Sequence, residues 1–411
     1  MTPSVVIIGG GFAGLTAARA LEDRARVTVV SDQNFLLFTP MLAEVASGDL
    51  DPRHIITPIR QLSPRARVVS GTVTSVDPDN KTVMVDRPFG LEPIELEGDA
   101  LIVAPGSVPA TYGVEGVEEW GLPFKTIRDA LRIRNRVLAL MESATEETDR
   151  RLTHVAIVGA GYSGAELAAA LADMLGSASR EFFPSAPRPA VTLIDAVDRV
   201  APTLTKRLSA AAERALTRRG VDLVLGEKVE RLSGHAVQLQ SGRSVEAETV
   251  VWAAGVRPNP LVEKIGLETD RGRLVVDSKL RAAPGVFGMG DAALVPDGRG
   301  GISPPTAQFA LRQGRYLGKH LPAILAGDRV PDFKYRNWGE LVSLGHRNAV
   351  GQVLGLSVSG FPGWFLYRSY YLMRLPSMLR KARVALDWTL DLLFPPDVAW
   401  LPTSDLGPDV R

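Results

Sequence analysis

The stretch SVVIIGGGFAGLTAARALE, residues 4–22, decides the fold. Its β-branched run to Ile8 reads as a buried strand, Gly9 to Gly14 as a turn, and Leu15 to Leu21 as a helix. In the G-x-G-x-x-G spacing each glycine has a task. Gly9 makes the tight turn, Gly11 lets backbone approach a pyrophosphate, and Gly14 lets helix and strand pack closely, with phosphates at the helix N-terminus. A glycine turn alone also simply joins a strand to a helix. Here the next strand, ARVTVVSD (25–32), ends at Asp32, 18 residues beyond Gly14, where a ribose-binding acid belongs.

The same unit recurs as THVAIVGAGYSGAELAAALADML (153–175), with Gly159, Gly161 and Gly164 at the same offsets. AVTLIDAVDRV (190–200) follows, with Asp195 at its strand end, after a Ser/Pro/Arg-rich loop, residues 177–189. Two such units imply two dinucleotides, and the chemical reason for two is electron relay between a nicotinamide and a flavin. By position the N-terminal loop is the expected flavin (FAD) site and the second loop the NADH site. Asp195 favours the free 2′-hydroxyl of NADH because an acid repels a 2′-phosphate; Arg199 leaves tolerance of NADPH open.

Bulk properties narrow the class. A chain of 411 residues is expected to form two or three domains. With 47 basic and 46 acidic residues there is no overall drive toward nucleic acid. The absence of cysteine excludes disulfides, thiolate metal sites and redox-active thiol pairs, and with them disulfide and sulfide reduction. His54, His154, His235, His320 and His346 show no metal-ligand spacing, so no metal is expected. No secretory leader and no apolar run of membrane-spanning length is read in the chain.

Three further segments, ALIVAPGS (100–107), VVWAAGVRPN (250–259) and GVFGMGDAAL (285–294), read as strands ending in tight turns. With the two glycine loops they resemble the two-dinucleotide flavoprotein disulfide reductase superfamily. That resemblance implies an α/β fold with two Rossmann-like domains. It implies that Asp291 hydrogen-bonds the flavin ribityl chain and that Gly290 gives close backbone approach; an Asp-capped helix start is the compatible plainer reading. NFLLFTPMLAEVASGDLDPRHIITPIR (34–60), PPTAQFALRQG (304–314) and the C-terminal segment resemble type II NADH:quinone oxidoreductases. The resemblance spans essentially the whole chain. It implies hydride transfer from NADH to FAD and electron transfer to a membrane quinone, ubiquinone or menaquinone.

On that resemblance the candidate catalytic residues are Glu166, Gln308 and Arg312. The family's A-Q-x-A-x-Q reads here Ala307-Gln308-Phe309-Ala310-Leu311-Arg312, with Gln313 one step beyond. Glu166 lies near nicotinamide and flavin in the family; its plainer role is a favourable interaction with a helix N-terminus. The candidate cofactor contacts are Gly9, Gly11, Phe12, Ala13, Gly14, Asp32, Pro40, Val73, Ala104, Pro105, Gly106, Gly290, Asp291 and Ala307, with Gly159, Gly161, Tyr162, Ser163, Gly164, Asp195, Ala254 and Gly255. Ser31 stands where many family members end the second strand with an acid, so Ser31 and Asp32 both remain open as the ribose contact.

The C-terminal segment WFLYRSYYLMRLPSMLRKARVALDW (364–388) carries Arg368, Arg374, Arg380, Lys381 and Arg383 and no acid before Asp387. Positions 378, 382, 385, 386, 389, 390 and 393, mostly apolar, form a helical stripe, with Arg380, Arg383, Asp387 and Asp391 on the other side. Residues 364–375 are nearly apolar all round, and Pro376 separates the two pieces. A core helix or a homodimer interface is one reading. The aromatics and cations favour a membrane surface, with the helices lying in the interface as a peripheral anchor on the cytoplasmic face. Expected boundaries are 1–110 with 281–330 for FAD, 111–280 for NADH, and 331–411 for the anchoring region. With no spanning charges to relay protons, no proton pumping is expected. Two alternatives remain: a soluble reductase feeding a ferredoxin-like protein, and a flavin- and NAD-binding interaction protein with weak catalysis.

Overall fold

The computed structural model describes residues 2–394 and 397–400, apart from 146, 148, 336 and 338. In chain order the elements that matter are β1 (Ser4–Ile8), α1 (Phe12–Leu21), β2 (Arg26–Ser31), β3 (Arg67–Ser70), β4 (Ala100–Val103), β5 (Gly121–Pro123), β6 (His154–Val158), α2 (Tyr162–Glu181), β7 (Ala190–Asp195), β8 (Val221–Leu225) and β9 (Thr249–Trp252). There follow β10 (Arg281–Ala283), β11 (Val286–Gly288), α3 (Ala307–Leu325), β12 (Gly339–Ser343), β13 (Ala349–Val353), β14 (Leu356–Ser359), α4 (Gly360–Arg374) and α5 (Met378–Asp391).

The chain divides into two compact units. The first comprises Met1–Leu37, Ile56–Val108 and Val256–Asn337. Its sheet has the order β10-β11-β4-β1-β2-β3, parallel throughout except for the β10–β11 pair. β1 and β4 are β-branched and leucine-rich because both faces of such a sheet are covered; Ile7, Leu101, Ile102 and Phe287 are essentially inaccessible. Helix α3 packs on α1 through small residues: a Cβ at Gly314 would strike the Ala13 carbonyl, and one at Gly318 the Ala20 side chain.

The second unit comprises Phe38–Ile55, Pro109–Gly255 and Trp338–Arg411. Its five-stranded sheet, β5-β9-β6-β7-β8, is all parallel. The central strand of each glycine-loop repeat has equivalent neighbours: β1 lies between β2 and β4, and β6 lies between β7 and β9. A three-stranded antiparallel sheet, β12-β13-β14, precedes α4 and α5.

These units draw their boundaries differently from the sequence. Residues 256–280 join the first unit, because Leu274 and Val275 pair with Ala293 and Leu294 and Leu274 is fully buried. Residues 38–55 join the second, where Leu42 and Val45 are buried on the short helix Leu42–Ala46. The C-terminal segment also belongs to the second unit and is no separate body: Tyr367, Val384 and Trp388 are buried in it.

Candidate functional site

The two glycine loops have matching construction. In the first unit Gly9 has φ +110° and donates its N–H to Val30 O at 2.8 Å. In the second, Gly159 has φ +113° and donates to Ile194 O at 2.7 Å. A side chain at either position is strained by the backbone and blocked by the facing strand's turn, at Ala104 O and Ala253 O respectively. Gly14 and Gly164 sit against the carbonyls of Gly9 and Gly159, so neither position has room for a Cβ.

Gly11 and Gly161 differ from these. A Cβ there meets nothing within 4 Å. Each is also the N-cap of its helix, α1 or α2, and neither helix has a side-chain cap. Each loop therefore ends in an open concavity facing the N–H groups of a helix N-terminus, the arrangement that accepts a pyrophosphate. The residues fit a dinucleotide in each unit.

In the first unit the remaining candidates gather around α1. Ala104, Pro105 and Gly106 follow β4 and turn against the loop at Gly9. Gly290, with φ +70°, begins a 3-10 turn close to Ala13. Ser107 Oγ donates to Asp291 Oδ2 at 2.6 Å, joining the turn after β4 to the turn after β11. Sequence reasoning had no signal for Ser107 as the partner of Asp291, since they are 184 positions apart. Ser31 is buried beside Gly10, where a Cβ would meet its hydroxyl, whereas Asp32 is exposed. Val73 lies half-buried on the strand Thr72–Asp77.

Helix α3 starts at Ala307 without a side-chain cap. Gln308 Oε1 accepts from Tyr335 OH at 3.2 Å, and the Arg312 guanidinium lies 5.0 Å from the centroid of the same ring. Arg312 thus shares a helix face with Gln308, one turn on. Gln313 does not substitute for it: it is buried, and its Oε1 accepts the Gly290 N–H at 2.7 Å. Its role is to hold the turn that carries Asp291.

The second unit gathers another group. Asp195 closes its loop directly, its Oδ2 accepting the Ala160 N–H at 2.5 Å and its Oδ1 the Val197 N–H at 2.8 Å. Arg199 is engaged with Pro202 O at 2.6 Å. Ser163 is exposed in the first turn of α2. Tyr162 donates to Glu340 and accepts from Thr203 Oγ1, and burial together with that carboxylate pushes its phenol up. Ala254 and Gly255 follow β9, and Gly255, at φ +144°, lies under the Tyr112 hydroxyl. Pro40 is also in this unit, where its carbonyl accepts from Tyr367 OH at 2.9 Å.

Glu166 lies within the second unit's acid–tyrosine cluster. Its Oε1 accepts the Ser343 N–H at 3.0 Å. Burial pushes its carboxyl up to about 8; the charge on Glu44 adds to this, while the Ser343 N–H and Tyr367 hydroxyl oppose it. Burial also raises Glu44 and, helped by Asp391 and Glu44, takes Asp49 well above the usual carboxylate range. The helix-terminus reading of Glu166 is incomplete, since its carboxylate is bound by the β12 backbone. A carboxyl that ionises near neutrality is suited to proton transfer.

The C-terminal helices are arranged inside out. On α5 the polar residues turn toward the protein: His54 Nδ1 and Asp387 Oδ2 are 2.5 Å apart, Arg380 donates to Arg53 O at 2.6 Å, and Asp391 pairs with Arg368 at 3.7 Å. Arg368 also stacks over Trp364 and Trp388, so with Arg380 two of the five cations face the protein. The buried apolar residues of α5 are Val384 and Trp388, outside the expected stripe. The expected stripe itself is outward: Met378 is 77% exposed, Leu386 58% and Leu393 71%. Phe361, Phe365 and Met373 of α4 are exposed as well. No helix among the described residues is long and apolar enough to cross a membrane.

Comparison with known proteins places this architecture. Residues 3–314 match the family model for pyridine nucleotide-disulphide oxidoreductases. A type II NADH:quinone oxidoreductase of Mycobacterium tuberculosis is 33% identical over 95% of this chain and 87% of its own length. A probable NADH dehydrogenase of Dictyostelium discoideum is 31% identical over 96% of this chain and 90% of its own length. The structure of NDH2 from Plasmodium falciparum in complex with NADH shares the fold, with a TM-score of 0.90 at 19% identity, over 97% of this chain and all of that one. The chain belongs to the pyridine nucleotide-disulphide oxidoreductase family and, within it, to the type II NADH:quinone oxidoreductases.

Proposed function

We propose that this protein oxidises NADH at the second glycine loop and reduces a lipid-soluble quinone at a bilayer surface, without moving protons across it. FAD at the first loop supplies the two-electron relay between nicotinamide and quinone. The observation that carries the reading is the pair of matched open cradles, at Gly11 and Gly161, each at an uncapped helix N-terminus. Bound FAD would be held by Gly9, Gly11 and Gly14 with the α1 N-terminus for its pyrophosphate, by Asp291 and Ser107 for its ribityl hydroxyls, and by Ser31 for its ribose. The counterparts for NADH are Gly159, Gly161 and Gly164, with Asp195 as the acid that disfavours a 2′-phosphate. Its two backbone hydrogen bonds fix that carboxylate beside the loop.

Gln308 and Arg312 carry the N–H donors that a quinone carbonyl accepts, and Tyr335 keeps them on one face of α3. Glu166 is the candidate proton-handling group, since it holds a proton at neutral pH. The outward row on α4 and α5 supports monotopic binding at the cytoplasmic membrane face: the leucines and phenylalanines enter the acyl boundary while Arg383 stays exposed toward anionic headgroups. A second copy is the other occupant such a row accommodates.

The test is NADH oxidation by purified, detergent-solubilised protein with a soluble quinone analogue, run beside NADPH. Fast quinone-dependent turnover with NADH preferred supports the reading. Flavin that bleaches with NADH but is not reoxidised by quinone overturns the quinone half and moves the acceptor to a protein.

A further inference from the structure

The second unit holds a group of ligand-type side chains that the activity leaves unused. Asp49 follows the helix Leu42–Ala46, His346 lies in the turn between β12 and β13, and Asp391 ends α5. One ligand atom from each residue falls within 4.8 Å of the others. His346 Nε2 stands 4.0 Å from Asp49 Oδ1 and 4.0 Å from Asp391 Oδ1. Those separations are too long for hydrogen bonds. Two ligands each about 2.0–2.2 Å from a tetrahedral ion lie about 3.3–3.6 Å apart, so a side-chain adjustment of about half an ångström brings these atoms onto one ion.

A second observation is independent of that spacing. The Asp391 side chain is only 9% exposed, and its Oδ2 has no hydrogen-bond partner. The Arg368 guanidinium approaches it at 3.7 Å but is spread over two tryptophan rings. A buried carboxylate oxygen left in this way is costly unless a cation completes it. All three residues open onto a cavity of ≈ 500 Å³ that Asp173, Ser177 and Phe394 also line. The cavity leaves room for water to fill a metal's remaining positions.

The His346 turn is held in place from outside the group. Asp173 Oδ2 accepts the His346 N–H at 2.7 Å, and Arg219 donates to the His346 carbonyl at 2.9 Å while pairing with Asp173. Such fixing of the backbone presents the imidazole to the two carboxylates without large rearrangement.

We propose that Asp49, His346 and Asp391 bind one divalent transition-metal ion, zinc or manganese. The imidazole disfavours magnesium and calcium, and the two carboxylates neutralise the ion's charge. The ion ties the end of α5 to the β12–β13 turn and to the segment after the Leu42–Ala46 helix. Its role is that of a staple for the C-terminal helices.

The test uses the full chain in detergent, stripped with EDTA and desalted. Zinc chloride, manganese chloride and magnesium chloride are titrated calorimetrically, and metal retained after gel filtration is counted by elemental analysis. The expected result is one zinc or manganese per chain and a rise in the unfolding midpoint on the order of 5 °C at saturating metal. His346→Ala, at a half-exposed ring, leaves the fold intact and weakens binding at least about tenfold. The double variant D49N/D391N abolishes it. Three results overturn the proposal: no stoichiometric metal, equal binding by the His346 variant, or magnesium binding as tightly as zinc.

Discussion

The indole Nε1 of Trp388 donates to Glu44 Oε2 at 2.6 Å, across 344 positions of sequence, with both side chains buried. This bond locks α5 onto the short helix Leu42–Ala46 and supplies a partner to a carboxyl whose burial pushes it up. Trp388→Phe keeps most of the apolar packing and leaves that carboxyl without its donor. The expected loss of stability is about 1–3 kcal/mol by chemical denaturation, and Glu44→Gln in the same background recovers part of it.

Glu166 sets a pH dependence. Its folded carboxyl ionises at about 8, against an ordinary value of 4.5. Between those values the folded chain holds a proton that the unfolded chain has released. Stability therefore falls as pH rises through that window, because ionisation is resisted only in the folded state. Glu166→Gln removes this dependence, so its unfolding midpoint gains on wild type steadily from pH 5 to 8. In stopped-flow reduction of the flavin by NADH, the wild-type rate changes near pH 8 and the variant's does not.

The glycine loops separate folding from cofactor binding. Gly159→Ala strains a φ of +113° and collides with the facing turn, so it costs stability in the absence of any cofactor. Gly161→Val has open space at its Cβ, so the protein folds normally. It fills the concavity, however, and the KM for NADH is expected to rise at least about tenfold with the flavin spectrum retained. Equal effects of the two substitutions on the thermal midpoint would show that Gly161 is structural.

Gln313 tests the support beneath the flavin site. Gln313→Ala removes the acceptor of the Gly290 N–H and leaves that donor unpaired. A cost of about 1–3 kcal/mol is expected. Flavin is then released more readily on dilution, while KM for NADH is unchanged.

Membrane attachment is tested best on the outward face alone. Truncation after Pro331 removes Tyr367, Val384 and Trp388 from the core of the second unit, so it confounds anchoring with folding. Leu386→Glu with Leu393→Glu changes only exposed positions. Each leucine contributes about 1.5–3 kcal/mol on burial in an apolar medium. Co-sedimentation with anionic vesicles should fall at least about a hundredfold in affinity while the unfolding midpoint is kept. Undiminished binding refutes the anchor.

The sequence by itself determined the two nucleotide-binding repeats. Their information is local: a β-branched strand, a turn that only glycine can make, and a helix lie within about twenty residues, and geometry at each glycine follows from the missing Cβ. The periodic apolar row of α5 was equally plain in sequence. Its direction was decided only by the tertiary structure. Asp387 finds His54, and Asp391 faces His346 and Arg368 on other elements, which turns these two acids inward and the leucines out. The same holds for Ser107 with Asp291, Gln313 with Gly290, and Trp388 with Glu44: each bond joins residues whose nearness comes from chain crossings that no local pattern encodes. The ionisation of Glu166 near neutrality is likewise a tertiary property, because burial and the charge of Glu44 raise it, and Glu44 lies 122 positions away in sequence.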